Sequence, residues 1–293
     1  MVDKDKRAEA KEARSNIPGK SGTGAKKQKE ARSNIPGKQR WRTAWWVLAL
    51  SGWTVLAVIG SQMLVGRLMV LILGGAVDLG RPIWTAVYEV LSYGLALWLT
   101  LYVPTRVSAT WSLKLKTAKR SVRAKAGGQG LRLSREELGL NGTPTWTDIG
   151  LAPIGFVAGT LLAMGITYVF GLMPWFDAGE AQNVGFSLYL SGWERGLAFL
   201  LLVVVAPVAE ELIFRGWLYG KLRTRLAAPV AILVVSALFG LVHMQWNVGV
   251  NVFALSVVLC LMREVTGTVY AGILTHMIKN GVAFYLVFVL GMM

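Results

Sequence analysis

The sequence is short of most things a secreted or soluble protein relies on. It has one cysteine in 293 residues, Cys260, which excludes an intrachain disulfide. It has two histidines, His243 and His276, both in late apolar stretches. Charged residues make up only 16% against 54% hydrophobic, a balance that excludes an ordinary soluble globular domain. Acidic residues are scarce, 16 against 31 Lys and Arg. The first forty residues are highly charged and carry no apolar h-region. The expectation is therefore no cleaved signal peptide, with the first apolar segment acting as an uncleaved anchor.

What is present is apolar run after apolar run, several reaching the ~18–20 residues that cross a bilayer core as helix. The reading is an all-α polytopic membrane helix bundle of seven or eight transmembrane helices with a disordered basic N-terminal tail. The net charge of +15 sits in two segments: residues 1–43 carry +8 and residues 104–146 carry +7. Cytoplasmic segments collect Lys and Arg, so both are expected inside, with the protein multi-pass in the cell membrane and its N-terminus cytoplasmic.

Four regions follow. Residues 1–43 repeat "KEARSNIPGK" at 11–20 and 29–38 and hold too few large apolar side chains to fold. Trp41 is the single aromatic residue among their charges, so no nucleic-acid partner is expected; the bilayer is the expected partner surface. Residues 44–103 form an N-terminal transmembrane hairpin, spans 44–73 and 83–103, the first able to break near Gly66–Arg67. Residues 104–146 form a basic cytoplasmic loop, whose "SREELGL" (134–140) reads as a surface helix start. Residues 147–293 form the core, with spans near 148–172, 195–214, 228–245, 248–262 and 266–290, the last able to break near Gly281. The loop 173–193 contains acids and no Lys or Arg, as an outer loop should.

Charges inside such spans are costly, and each is a functional hypothesis. Arg67, Glu89 and Lys279 are read as structural or snorkelling groups. The stretch "APVAEELIFRGW" (206–217) is different. Glu211 and Arg215 stand at i, i+4 with the acid first, the favourable order for a pair. Glu210, about 100° round the helix, has no such partner and is left to handle a proton. "FGLVH" places Phe239 one turn before His243, and "HMIKN" places His276 one turn before Asn280. At ~1.5 Å per residue, Glu210 lies roughly 16 Å from Lys221, His243 roughly 21 Å from Pro229 and His276 roughly 20 Å from Arg263. Three helices thus offer polar groups at one depth.

"EELIFRG", "FGLVH" and "HMIKN" resemble, in order and separation, the EExxxR, FxxxH and HxxxN motifs of the CPBP intramembrane proteases, the CAAX proteases and bacteriocin-processing enzymes also called Abi proteins. The resemblance covers about 148–293. It implies a glutamate-dependent membrane endopeptidase acting on a membrane-associated protein or peptide, such as a prenylated CaaX protein or a leader peptide. It implies that Glu210 activates water with help from His243, that His276 and Asn280 stabilise the oxyanion, and that Glu211 and Arg215 support the site. Phe239 is expected to wall the cavity. The family has been called metalloprotease-like. The chain has no HExxH, and no cofactor is expected; the alternative is Zn2+ held by Glu210, His243 and His276. Two other functions fit the composition: a non-proteolytic membrane scaffold regulating a partner such as a sensor kinase, and a proton-coupled transporter, against which the spans show no convincing repeat.

Overall fold

The structure, a computed structural model, describes residues 37–74, 78, 80–104, 134–180, 185–187 and 189–292. The tail expected over 1–43 and the centre of the basic loop lie mostly outside these residues. The chain divides into two compact units, Met1–Trp46 and Val47–Met293. Every described element is helix, turn or irregular; there is no strand among the described residues.

Helix α1, Gly37–Leu73, runs without a break at Gly66–Arg67. Its buried positions in the second unit, Ser51, Thr54, Ala57, Ser61, Val65 and Met69, recur at helical spacing and are mostly small, while Leu56, Met63, Leu64 and Leu71 are exposed. The buried hydroxyls of Thr54 and Ser61 donate to the carbonyls of Leu50 and Ala57 one turn back. Helix α2, Pro82–Leu97, starts on proline and continues as a π-helical turn, Trp98–Tyr102. Trp53 Nε1 of α1 donates to the Leu99 carbonyl in that turn.

Helix α3, Trp146–Gly171, opens on a reciprocal capping box between Thr145 and Asp148. Ala152, Gly155, Gly159 and Ala163 form its buried face. A Cβ on Gly155 would collide with the Met262 side chain, and one on Gly159 would lie 3.1 Å from Leu255. Small residues therefore let α3 meet its neighbour at backbone range.

Helix α4, Gly192–Arg223, is 32 residues long and contains an apolar stretch long enough to cross a membrane. Two π-helical stretches, Leu200–Val205 and Leu212–Tyr219, flank one short α-helical stretch, Ala206–Glu211. Helices α5, Ala228–Leu241, α6, Trp246–Thr266, and α7, Tyr270–Val289, complete the core. Helix α7 is continuous through Gly281, so neither expected break is present.

Among the described residues five helices are long and apolar enough to cross a membrane: α1, α3, α4, α6 and α7. Helix α5 is shorter than the span expected over 228–245. His243 N and Met244 N bond the carbonyls three residues back, which tightens the last turn, and Met244 at φ 56° turns the chain away.

The "SREELGL" stretch forms a docked turn and no helix start. The carbonyls of Glu137 and Leu138 approach Gly220 and Gly216 so closely that a Cβ there would sit 3.0 and 3.1 Å away. Lys221 pairs with the Glu137 carboxylate at 3.3 Å, and Val269 N donates to the Gly139 carbonyl. The element differs from the expected surface helix start because glycines on α4 admit its backbone there.

Candidate active site

The three motifs meet around two adjacent carboxylates on the short α-helical stretch of α4. Glu211 is fully buried, and its Oε1 accepts from Arg215 Nη1 at 2.8 Å, the i, i+4 pair expected from spacing. The same Oε1 lies 3.1 Å from His276 Nδ1 of α7, which donates to it. Its other oxygen faces Gly272, where a Cβ would lie 3.1 Å away. Glycine is needed at 272 to admit the carboxylate.

Glu210 is not neutralised in this way. Its side chain keeps 17% exposure, its Oε1 accepts from the Tyr93 hydroxyl at 2.7 Å, and its Oε2 lies 3.7 Å from His276 Nε2. His276, itself 4% exposed, therefore stands between the two acids, one ring nitrogen toward each. With Nδ1–H given to Glu211, Nε2 donates only when the ring carries both protons. Glu89 of α2 and Lys279 of α7 also act electrostatically on Glu210. Arg67 is exposed, and no ion pair joins it to Glu89 among the described residues.

His243 sits in the turn after α5. Its Nδ1–H donates to the Phe239 carbonyl at 2.7 Å. In the neutral ring that leaves Nε2 as a lone pair, able to accept a proton or a hydrogen bond. Phe239 is fully buried and ties the set together. The Arg215 guanidinium lies 4.3 Å over its ring, on the electron-rich face, and the His243 and His276 rings meet it edge-on with centroids 5.0 and 6.0 Å away.

Asn280 reaches elsewhere. Its Nδ2 donates to the Leu202 carbonyl at 2.8 Å. The reason is local. In the π register around it, Ala206 N–H bonds the Leu201 carbonyl, five residues back. The next such donor would be Pro207, which has no N–H, so the Leu202 carbonyl is orphaned and the asparagine satisfies it. Asn280 thus holds α7 against α4 with one amide hydrogen; the other remains one turn from His276.

Sequence alone does not single out Tyr93. It offers a clue, since Glu89 and Tyr93 share one face of an apolar helix at i, i+4. Nothing in the chain order ties that face to residue 210. As for a metal, zinc needs three or four donors converging at roughly 2.0–2.3 Å. Among the described residues no group of three or more His, Cys, Asp or Glu could hold one. Glu210 and His276 face each other, with Tyr93 on Glu210 and Glu211 on His276. That pair offers two donors, and among the described residues no third His, Cys, Asp or Glu joins them to complete a zinc site.

A cavity of about 420 Å³ opens away from this site, beside Glu137, Tyr219, Lys221, Arg223 and Glu264. Arg223 grips Glu264 there through Nε and Nη2 at 2.9 and 2.7 Å, and the Tyr219 hydroxyl donates to Glu264 at 2.6 Å. It fastens α4 to α6.

Residues 192–282, just under a third of the chain, match the family model described as Type II CAAX prenyl endopeptidase Rce1-like. No curated protein and no solved structure matches the chain. The matched segment contains all three motifs, from Glu210 to Asn280. Among the described residues five long apolar helices make this a multi-pass membrane protein, and residues 192–282 of its motif-bearing core are similar to the Rce1-like family, consistent with the CPBP resemblance of the three motifs.

Proposed function

We propose that the protein hydrolyses a peptide bond of a membrane-associated protein or peptide, with Glu210 activating water. The observation that carries this is the split between neighbouring carboxylates. Glu211 is paired with Arg215 and fully buried, while Glu210 has no Lys or Arg bonded to it among the described residues and retains access. Glu210 Oε2 and His276 Nε2, 3.7 Å apart, are too far for a direct bond and close enough for one water to touch both.

In this reaction Glu210 takes a proton from water, and the oxygen adds to the substrate carbonyl carbon. The lone pair on His243 Nε2 accepts from the water's remaining hydrogen and orients it. The oxyanion takes hydrogen bonds from Nε2–H of His276, whose ring carries both protons in this step, and from the free amide hydrogen of Asn280, preorganised donors of the kind that often dominate such catalysis. As the C–N bond breaks, the proton held by Glu210 passes to the departing amine. A new carboxylic acid and a new amine result, and the acid's remaining proton passes to the amine, leaving a carboxylate and an ammonium. The description of the matched family supports a prenylated CaaX protein as the substrate; a leader peptide is the other form the motifs suggest.

The test compares membrane-associated peptides by N- and C-terminal mass spectrometry between cells carrying wild type and Glu210→Ala at equal expression. New termini present with wild type and absent with the variant are expected. They should persist in membranes treated with 1,10-phenanthroline. Loss on chelation and recovery with zinc would favour the Zn2+ alternative. Identical termini with both proteins would sink the protease and leave the scaffold.

A further inference from the structure

Helix α2 lies outside the matched segment and carries none of the three motifs, yet it makes the shortest hydrogen bond to the reactive carboxylate. The Tyr93 hydroxyl donates to Glu210 Oε1 at 2.7 Å, across 117 residues of chain. That length is in the range of charge-assisted O–H···O⁻ bonds. We propose that Tyr93 is a positioning residue for Glu210, and that α2 completes the active site; this rests on the hydrolytic reading above.

Three observations carry it. The first is rotational. The last torsion of a glutamate is broad and roughly two-fold, so packing of the side chain does not fix the plane of its carboxylate. A bond to Oε1 fixes it, and Oε2 becomes the oxygen turned to His276. The second is electrostatic. Arg215 holds Glu211 by an ion pair, which neutralises it. A phenol holds Glu210 without cancelling its charge, so the carboxylate is oriented and still basic. The third is the site's surroundings. Glu89, one turn before Tyr93 on the same helix, is close enough to act on Glu210. A lysine or arginine at 93 would be captured by either acid; a neutral donor one turn on binds without forming an ion pair with either. The helix is anchored at both ends. Thr85 Oγ1 donates to the Gly185 carbonyl near its start, and the Leu99 carbonyl near its end receives Trp53.

The experiment uses the full chain in proteoliposomes. Its probe is a synthetic peptide spanning the bond at which wild type creates a new terminus. Tyr93→Phe removes one oxygen and is expected to lower kcat about 10- to 100-fold, as loss of a hydrogen bond to a charged group does, with KM within about two-fold. Glu210→Asp draws the carboxylate out of reach of the phenol. In that background Tyr93→Phe should change kcat less than about two-fold, because the bond is already gone. A purely structural tyrosine would lower kcat equally in both backgrounds and lower the melting temperature as well. Equal losses, a kcat for Tyr93→Phe within about two-fold of wild type, or a change in KM alone would each overturn the proposal. The two readings fail separately. If Glu210→Ala abolishes cleavage while Tyr93→Phe leaves it intact, hydrolysis stands and the positioning role falls. If Glu210→Ala cleaves like wild type, the hydrolytic reading falls and takes the positioning role with it.

Discussion

Removing one member of the Glu211–Arg215 pair should unfold this protein more readily than removing both. The two side chains are fully buried and 2.8 Å apart. At an effective dielectric of about 20, two unit charges at that separation attract by ~6 kcal/mol. Breaking a buried pair leaves the surviving charge uncompensated, at about 3–5 kcal/mol. The two single variants should not be equal. Arg215 has one acidic partner through Nη1, while its Nε and Nη2 have no hydrogen-bond partner among the described residues. After Glu211→Leu it keeps only the face of Phe239, worth ~2 kcal/mol at best when desolvated. After Arg215→Met, Glu211 still receives His276 Nδ1–H at 3.1 Å. Glu211→Leu is therefore expected near 5 kcal/mol and Arg215→Met near 3, both on the order of the buried-pair range. The double variant, apolar on both sides, should return to within about 1–2 kcal/mol of wild type. Unfolding followed by intrinsic fluorescence in detergent is practical, since the chain has twelve tryptophans. Cleavage should not return with stability, because His276 then lacks the acid that orients it. A double variant no more stable than the worse single, or singles within about 1 kcal/mol of wild type, would refute the assignment of this pair as a structural ion pair.

Substitutions at two further positions probe how the helices bring the motifs together. Gly240 of α5 and Gly249 of α6 meet backbone to backbone, and a Cβ on Gly240 would lie 2.7 Å from the Gly249 carbonyl oxygen. Gly240→Ala should therefore push α5 from α6, cost about 1–3 kcal/mol and displace His243 three residues on, lowering kcat; a melting curve and kinetics check both. Asn280→Leu orphans the Leu202 carbonyl and should cost about 1–3 kcal/mol, whereas Asn280→Gln, able to reach the carbonyl by a different path, should recover part of it in the same unfolding assay.

Local spacing made much of this site legible. The Glu211–Arg215 pair and the edge-on contact of Phe239 with His243 join residues four apart, and a helical turn dictates such contacts whatever the helix packs against. The apolar runs likewise declared their helices, because crossing a bilayer demands length and composition before any partner is chosen. Boundaries were less legible. Helix α5 ends at Leu241 because two backbone bonds shift to the residue three back and Met244 takes a positive φ, features of a turn that apolar composition does not reveal. The π-helical stretches of α4 were equally hidden, and with them the bond that Asn280 makes to a carbonyl Pro207 cannot satisfy.

The sequence by itself determined an all-helical membrane chain, the three motifs and the pairing of Glu211 with Arg215, since each follows from neighbours along one helix. The tertiary structure alone decided that His276 stands between the two acids, 65 residues from Glu211, and that Tyr93 holds Glu210 from 117 residues away. Such contacts depend on which faces of which helices pack together, and that choice belongs to the whole bundle.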